Sequence, residues 1–377
     1  MRLEQRCWAG GKWDPAAGQP LNGEADLVLA FGVADALRGG RALDALRGEY
    51  PAATLIGCAT PAELHAPSRQ DKHLTVTAVD FEHSLVKSAR VELGSPPDGY
   101  VAGQRLADAL WSEGLVHVLI LSDTSGVNAS DLTRGLAHAL PDGVTVTGGI
   151  SAPTSRAGDG LAFLDQPLAE GGVAAIGLYG KRLKVTCGSA GGWELFGPER
   201  LVTRSEGDIL YELSGRPALD VYHEDLGRYA GEVAAIGIHF PLSVRTNDPT
   251  QGILRTVIGA DPRLGTVTLA GDIATGAFAR VMRATDDALL RGAGLAADNC
   301  CSAGEAPPQF ALLVSGVGRR LILKQRAKEE VEAVRDVFGP GTVLAGFYGN
   351  GEIAPGEAGE RPELQNQTMS VTGISEN

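Results

Sequence analysis

Aromatic side chains and long apolar runs are scarce in this sequence. Phe, Trp and Tyr together make up 5% of the 377 residues. No apolar stretch approaches the roughly 18 residues that a membrane-spanning helix needs. Residues 1–11 carry Arg2, Glu4 and Arg6 without an apolar segment, which is unlike a secretory signal. These absences argue against a helical membrane protein and against a secreted one, and they predict a cytoplasmic chain without a membrane partner.

Cysteine and positive charge are also scarce. The five cysteines are odd in number and scattered, at positions 7, 58, 187, 300 and 301. This pattern fits a reducing compartment better than a disulfide framework. Lys and Arg number 33 against 46 Asp and Glu, which gives a formal net charge of −13. An acidic surface repels phosphate backbones, so nucleic acid is not an expected partner.

A repeated pattern occupies residues 27–57, 118–148 and 311–346. Each segment has a short apolar run, apolar residues at helical spacing, a proline and a second apolar run that ends in glycine. The prolines and glycines are Pro51 and Gly57, Pro141 and Gly148, and Pro340 and Gly346. A strand, a helix and a strand in about 30 residues are typical of a βαβ unit. The shared spacing favours duplication of one building block, although unrelated α/β segments can look alike at this level.

Short β-rich stretches lie between these units. They are residues 73–79, 88–93, 173–179, 183–187, 253–258, 266–269 and 368–371. Their alternation of apolar and polar residues predicts sheets with one solvent-facing side. Residues 298–309 contain Gly304, Pro307 and Pro308 and are predicted to form a surface loop.

The predicted fold class is therefore α/β with mixed sheets. It consists of two related domains built from repeated βαβ units with additional antiparallel strands. The Gly- and Pro-containing residues 215–217 are a plausible domain junction. We expect an N-terminal extension at 1–24, a first domain at 25–218 and a second at 219–377.

Enzyme signatures are missing. No G-x-S-x-G elbow, H-E-x-x-H motif or G-x-x-x-x-G-K-[ST] loop occurs, and cysteines at metal-ligand spacing are absent, so we expect no enzyme and no metal site. Cys58 would be a reactive thiolate if a helix N-terminus faced it, but a small buried apolar residue is the preferred interpretation. Three histidines, at 65, 73 and 83, lie near one another in the sequence. One of them could bind haem or a metal, whereas an ordinary solvent-facing or hydrogen-bonded histidine is the simpler interpretation.

Candidate ligand residues follow the ends of the repeats. Glutamate lies six residues after the terminal glycine in two of them, as Gly57…Glu63 and Gly346…Glu352. The middle unit continues as Gly148-Gly149 and lacks the acid. Ligands of open α/β sheets bind at the carboxyl ends of the strands, where glycine leaves backbone N–H groups accessible.

A carboxylate there could hold an ammonium group, and Arg319 could hold a carboxylate in a fork. Together these groups would suit a zwitterion such as an amino acid. The alternative is that the glutamates cap turns and the arginine pairs with a surface acid. The predicted ligand-binding residues are Gly57, Cys58, Thr60, Glu63, Gly148, Gly149, Arg319, Phe347, Tyr348, Asn350, Glu352 and Asn366.

Several separated motifs occur in an order that resembles the FIST domain family. Residues 26–63, which end in I-G-C-A-T-x-x-E, Gly148-Gly149, and residues 191–219 resemble a FIST N domain. Residues 317–319, 345–353 and 366–368 resemble a FIST C domain, so the resemblance covers most of residues 25–372. Two departures are Ser315, where many relatives have cysteine, and Gly192, where histidine is common before tryptophan.

The resemblance implies an intracellular sensory protein that binds a small molecule, such as an amino acid, and acts in signal transduction without catalysis. No cofactor is expected. Because some relatives resemble haem-based sensors of nitric oxide that act with histidine kinases, haem binding is the first alternative. An unrecognised enzyme that uses Cys58 or Glu352 is the second. No kinase, cyclase or receiver segment accompanies the motifs, which implies signalling through a separate partner such as a histidine kinase.

Overall fold

The computed structural model describes most of the chain. The described residues are 1–9, 11–14, 17–18, 20–38, 41–64, 74–93, 97–124, 126–153, 160–246, 252–301, 306–356 and 360–377. His65, His73 and part of the predicted loop at 298–309 lie outside them. None of the described helices is both long and apolar enough to cross a membrane.

Short β-strands account for much of the described structure. In chain order they are β1 (Arg2–Ala9), β2 (Lys12–Trp13), β3 (Ala17–Gly18), β4 (Leu27–Gly32), β5 (Thr54–Ala59), β6 (Leu74–Asp80), β7 (Leu85–Val91), β8 (Leu115–Ser122), β9 (Thr145–Ile150), β10 (Ala162–Leu164), β11 (Gln166–Pro167), β12 (Val173–Tyr179), β13 (Leu183–Ala190), β14 (Glu194–Leu195), β15 (Arg200–Glu206), β16 (Ile209–Leu213), β17 (Arg216–Pro217), β18 (Leu242–Arg245), β19 (Ile253–Arg255), β20 (Val257–Asp261), β21 (Thr266–Leu269), β22 (Phe278–Arg283), β23 (Phe310–Gly316), β24 (Val343–Gly349), β25 (Gly351–Pro355), β26 (Pro362–Gln365) and β27 (Met369–Glu376).

The helices are fewer and lie outside the sheets. They are α1 (Ala34–Leu37), α2 (Arg41–Glu49), α3 (Gly99–Leu110), α4 (Ala129–Ala139), α5 (Ala218–Leu226), α6 (Val233–Ile236), α7 (Asp286–Cys300), α8 (Val317–Leu323) and α9 (Glu329–Phe338), with 3-10 turns at Gly227–Tyr229 and Lys324–Lys328. Side-chain caps begin the longer ones. Asp98 accepts from the Val101 N–H, and Thr285 accepts from the Ala288 N–H.

The described strands form four sheets. The first has the order β11-β10-β5-β4-β6-β1-β2, with β3 beside β1. The second has the order β26-β25-β9-β8-β12-β7, and the third has the order β13-β27-β23-β24. The fourth has the order β19-β18-β22-β15-β16-β21-β20, with β14 beside β22 and β17 beside β16. The second and third sheets each combine strands that are distant in the sequence, which makes these parts of the chain interdependent.

The three predicted βαβ units are confirmed. Strands β4 and β5, β8 and β9, and β23 and β24 each pair in parallel, with helices in the crossover. Helix α2 ends two residues before Pro51, and α4 and α9 likewise end just before Pro141 and Pro340. The predicted mixed α/β fold is therefore correct. Each unit lies in a different sheet.

The units share one apolar core. Their inner faces contribute residues to a single buried cluster, which includes Leu29, Phe31, Ile56, Leu121, Leu312, Val314 and Phe347. The rings of Phe31 and Phe347 stack with centroids 4.9 Å apart. The outer faces are covered by helices: α1 and α2 on the first sheet, α3 and α4 on the second, and α7 and α9 on the third. Burial of this common core fixes the three units relative to one another.

Several local predictions are wrong for tertiary reasons. Residues 173–179 and 368–371 were expected to have one solvent-facing side, but they are buried throughout. Residues 73–79 were expected to have a solvent-facing side, but Thr75 and Thr77 of β6 are only 2% and 1% exposed. That face is covered by the third sheet. Gln5 Nε2 of β1 donates to Thr77 Oγ1 of β6 and to the Leu344 carbonyl of β24, which links the first sheet to the third. The loop expected at 298–309 begins later, because α7 continues to Cys300.

Candidate functional site

The carboxyl ends of the repeat units meet, as the sequence pattern predicts. The Leu64 N–H donates to the Gly346 carbonyl at 2.9 Å, and the backbones of Glu63 and Phe347 form an isolated antiparallel β-bridge. The Ala152 N–H donates to the Ala59 carbonyl at 3.2 Å. These bonds join the end of each unit to another unit by backbone contacts.

Additional side-chain and backbone contacts fill the space between these ends. Thr60 Oγ1 lies 3.0 Å from both the N–H and the carbonyl of Tyr348, and strand β25 pairs with β9. A Cβ atom added to Gly149 would lie 2.8 Å from the Gly351 carbonyl. The unit ends therefore pack directly on one another and do not enclose a common hollow.

Most of the predicted glycine and core positions are consequently closed to a ligand. In each unit the second strand passes its partner so closely that a Cβ atom would lie less than 2 Å from a carbonyl oxygen of the first strand. These contacts are Gly57 to Ala30 at 1.8 Å, Gly148 to Ile120 at 1.8 Å and Gly346 to Leu313 at 1.9 Å. The glycines serve strand packing, which corrects the interpretation that they let a ligand approach the backbone.

Cys58 and Phe347 belong to the central apolar core, and both are fully buried. Burial raises the pKa of the Cys58 thiol well above its ordinary value. The preferred interpretation of Cys58 as a small buried apolar residue is confirmed, because a buried thiol in apolar surroundings resists ionisation.

Arg319 does not face a ligand, in contrast to its predicted role in a carboxylate fork. The side chain is fully buried, and its Nε and Nη2 lie 2.8 Å from Glu330 Oε1. Nη2 also donates to the Leu289 carbonyl at 2.8 Å, and Nη1 donates to the carbonyls of Gly191 and Gln367 at 2.6 and 3.3 Å. All of these partners belong to the protein, so the guanidinium has a structural role in joining α7, α8 and α9.

Tyr348 belongs to the same buried network. Its hydroxyl donates to Glu330 Oε2 at 2.8 Å, and Ser315 Oγ lies 3.4 Å from the same carboxylate. Burial raises the pKa of Tyr348 well above its ordinary value, and the neighbouring Glu330 raises it further. The tyrosine hydroxyl is therefore a structural donor and is closed to a ligand.

A cavity of about 520 Å³ lies beside this network, where the second and third units meet the fourth sheet. Of the predicted residues, Asn350, Glu352 and Asn366 line it. The other residues that line it are Thr124, Val127, Asn128, Ala129, Ile150, Asp208, Ile238, Thr256, Ile258, Leu269, Ala270, Gly271, Asp272, Gly316, Val317, Gly318, Leu321, Gly349, Leu364 and Gln367. The size is within the range of small-molecule sites in proteins.

Glu352 is the buried acid of this cavity. Its Oε2 accepts from the Thr368 N–H at 3.1 Å and from Thr368 Oγ1 at 2.6 Å. Its Oε1 has no hydrogen-bond partner among the described residues, although the side chain is fully buried. Burial, more than any neighbouring charge, raises the pKa of Glu352 to about 8. A buried acceptor without a partner costs about 1–3 kcal/mol, so this oxygen is poised to accept from a ligand.

Gln367 supplies a second unpartnered acceptor. Its Nε2 donates to the Ile238 carbonyl at 3.1 Å, while its Oε1 has no partner among the described residues. The residue adopts φ of +59°, a left-handed conformation that is uncommon outside glycine. The Gln367 carbonyl is held by Arg319 and by Trp193 Nε1, the latter at 2.9 Å. Gln367 is not among the ligand-binding residues predicted from the sequence, although it lies in the polar run N-Q-T, which was an available signal.

Asn366 contributes mainly to the wall of the cavity. Its Oδ1 accepts from the Thr256 N–H at 3.2 Å, and its Nδ2 donates to the Gln365 carbonyl at 3.0 Å. Asn350 lies at the exposed rim, where its N–H donates to the Ile150 carbonyl at 3.0 Å. Asn366 therefore shapes the wall through side-chain hydrogen bonds to backbone groups, and Asn350 shapes the rim through its own backbone N–H.

The charges that line the cavity have one sign. Asp208, Asp272 and Glu352 are acidic, and no described residue of the lining is Lys, Arg or His. Asp272 is paired with Arg134 at 2.9 Å. Arg255 lies behind the wall and donates to the carbonyls of Asp272 and Leu364, at 2.9 and 2.8 Å. The cavity thus combines apolar walls with acceptors and negative charge.

The described residues do not fit a haem or metal site in this cavity. Its described lining contains no His, Cys, Met or Tyr that could ligate haem iron. His117 is buried between Thr145 and Thr147, at 2.7 and 3.1 Å from their hydroxyls, and burial lowers its pKa to about 3. Among the described residues, no cluster of three His, Cys, Asp or Glu side chains is placed to hold a metal ion.

A second cavity of about 700 Å³ lies on the other side of the segment that carries Gln367. It is lined by residues that include Trp193, Leu254, Met282, Gln365 and Thr368, and by none of the predicted ligand residues. Thr368 lines this second cavity and also donates to Glu352. The segment 365–368 therefore separates the two cavities.

Replacement of Glu352 is expected to change the pH dependence of stability. The pKa of this carboxyl rises from 4.5 to about 8 on folding, so the folded protein holds the proton more tightly than the unfolded chain does. Stability is then greatest below the unfolded value and is lost as the pH rises through the folded one. Between about pH 5 and pH 8, wild type is expected to lose about 3–4 kcal/mol relative to Glu352→Gln. Urea unfolding of both proteins across this range measures the difference, and parallel pH profiles would contradict the prediction.

Comparison with known proteins identifies two adjacent domains. Residues 26–216 match the FIST N domain, and residues 218–355 match the FIST C domain. A search of curated proteins finds no match to this sequence. Among solved structures, a crystal structure of cyanuric acid hydrolase from A. caulinodans aligns over 94% of this chain and 92% of that chain. The identity is 10% and the TM-score is 0.34, a likeness too distant to support an inference.

Proposed function

Because the chain belongs to the FIST domain family, we propose that it is a sensory protein that binds a small metabolite in the cavity of about 520 Å³. FIST domains are sensory domains implicated in signal transduction. The proposed ligand is an amino acid or a related metabolite with an amino group. The sensor acts without catalysis and signals through a separate partner, such as a histidine kinase, in the cytoplasm.

One observation carries this proposal. The lining of the cavity includes two fully or nearly fully buried side chains, Glu352 and Gln367, and each carries an acceptor oxygen without a partner among the described residues. Buried polar atoms are normally hydrogen-bonded, and exceptions call for a specific explanation. A ligand that donates hydrogen bonds to both oxygens would remove their desolvation cost and would stabilise the folded protein.

The described residues around Glu352 favour the binding of a small metabolite over catalysis and over haem binding. No Ser, Cys, Lys or His accompanies Glu352 in the described lining, and Cys58 is buried in the central core away from it. The described lining also offers no side chain to ligate haem iron. The acidic chain with five free thiols fits a reducing cytoplasm.

We further propose that the three βαβ units arose by duplication. Each places its glycine at the same point, opposite a residue of the first strand in parallel register: Ala30 with Gly57, Ile120 with Gly148, and Leu313 with Gly346. The matched close contacts support a common origin of the units. The relation between two whole domains remains a prediction.

A thermal-shift screen of amino acids, amines and other metabolites tests the sensory proposal. At least one compound is expected to raise the melting temperature in a saturable manner, because a ligand of the folded state stabilises it by mass action. Ala270→Phe, which places a ring in the cavity, is expected to abolish that shift and to keep the fold. The matched control is Ala260→Phe, at a position outside the residues that line either cavity. A library without any saturable hit, or hits that Ala270→Phe leaves unchanged, would contradict the proposal.

A further inference from the structure

We propose that the cavity selects an organic cation, a primary ammonium group on an apolar body, in preference to a zwitterion or an anion. The ammonium is held by Glu352 Oε1 and Gln367 Oε1. This inference rests on the proposed function and names the class of its ligand. It differs from the expectation of a carboxylate fork, because the buried network takes up the whole guanidinium of Arg319.

The arrangement of acceptors suits an ammonium group. A Cβ atom added to Gly316 would lie 2.8 Å from Glu352 Oε1, and one added to Gly318 would lie 2.6 Å from Gln367 Oε1. Both oxygens therefore border the same short piece of backbone at one end of the cavity. An ammonium group has three N–H donors and no acceptor, so it suits a place lined by more than one acceptor oxygen. A ligand carboxylate would find no Lys, Arg or His side chain in the described lining to pair with it.

The charges around this end have the sign that a cation needs. Asp272 and Asp208 line the same cavity, and the described lining has no basic side chain to attract a ligand carboxylate. Arg319 and Glu330 lie behind Glu352, where the first lowers the pKa of its carboxyl and the second raises it. Arg319 and Glu330 pair with each other at 2.8 Å. Arg255 donates to backbone carbonyls behind the wall.

Other residues of the lining suit an apolar body. Ile258 and Leu321 at the cavity are 53% and 51% exposed. Val317, Leu269 and Leu364 continue this apolar wall inward. A ligand that placed a ring or an alkyl group here would remove this surface from water. The ammonium end and the apolar wall together define an amphiphilic amine.

Ion pairing with the ligand requires the ionised form of Glu352. The pKa of this carboxyl is about 8 without a ligand, so the protein must release a proton when a cation binds at neutral pH. Affinity for the cation is therefore expected to fall as the pH decreases below about 8, by nearly tenfold for each pH unit. No described histidine lines the cavity, so none contributes to this pH dependence there.

Calorimetry with four matched probes tests the proposal: 2-phenylethylammonium, 2-phenylacetamide, 2-phenylacetate and phenylalanine. The cation is expected to bind at one site per chain and at least about tenfold more tightly than the other three, in keeping with roughly 1.4 kcal/mol or more for a charge-assisted bond. Glu352→Gln is expected to weaken its binding by at least about tenfold, and Ala270→Phe to abolish it.

A measurement on the wild type keeps the test valid even if Glu352→Gln or Ala270→Phe fails to fold. At about pH 7, titration in buffers of different ionisation enthalpy is expected to show close to one proton released per bound cation. Binding of the amide, the anion or the zwitterion as tightly as the cation, absence of proton release, or failure of all four probes would overturn the cation inference. The sensory proposal would survive those outcomes if the metabolite screen still found ligands that Ala270→Phe excludes, so the two failures are distinguishable.

Discussion

Arg319→Met is expected to lower the free energy of unfolding by about 3–5 kcal/mol. The guanidinium donates to Glu330 and to three backbone carbonyls, and neither charged side chain is exposed to solvent. Its loss leaves the Glu330 carboxylate buried with only the weaker donors Tyr348 and Ser315. An uncompensated buried charge is one of the few single changes with an effect of this size.

Urea unfolding of four proteins isolates the contribution of the pair: wild type, Arg319→Met, Glu330→Gln and the double variant. Because the double variant leaves no unpaired charge, its loss is expected to be smaller than the sum of the two single losses. The matched control is Arg216→Met, which removes an exposed arginine that is paired with Glu224 and should leave stability nearly unchanged. A loss for Arg319→Met no larger than that of the control would contradict a buried structural pair.

Gly148→Ala is expected to cost at least about 3 kcal/mol, or to prevent soluble expression. An alanine Cβ would lie 1.8 Å from the Ile120 carbonyl oxygen, well inside van der Waals contact, and the backbone φ of +144° is strained for any L side chain. The neighbour is backbone in the parallel partner strand, so the clash cannot be relieved by a change of rotamer. Strands β8 and β9 would have to separate.

Gly48→Ala is the matched control for this substitution. Gly48 lies in α2, and nothing comes within 4 Å of an added Cβ. The exchange is expected to raise stability by about 0.5–1 kcal/mol, since alanine loses less backbone entropy in a helix. Gly57→Ala and Gly346→Ala should behave like Gly148→Ala, with added Cβ atoms 1.8 and 1.9 Å from carbonyl oxygens. Denaturant midpoints within error of wild type for all three would contradict the strand-packing role.

Part of the candidate site could be predicted from the sequence, and part of it could not. Glu352 was predicted from its position after the third repeat, and Asn350 and Asn366 were also among the predicted ligand residues. All three line the cavity. Arg319 follows a strand end in the sequence and resembles a ligand-binding arginine. Its burial depends on contacts with Leu289 and Gly191, residues far along the chain that no local pattern connects to it.

Local patterns were enough to predict the three βαβ units, because periodic apolar residues, prolines and glycines act over distances of a few residues. Motifs that keep their order along the chain were likewise enough to predict family membership. Which surface could hold a ligand depended on the packing of distant segments. Strand β25 pairs with β9, and β27 pairs with β13, across more than 150 residues. These non-local pairings close the glycine-rich ends against one another and leave the open space beside them, next to Glu352 and Gln367. Long-range packing buries the side chains of Glu352 and Gln367 and leaves one oxygen of each without a hydrogen-bond partner among the described residues. Local sequence patterns do not predict such features.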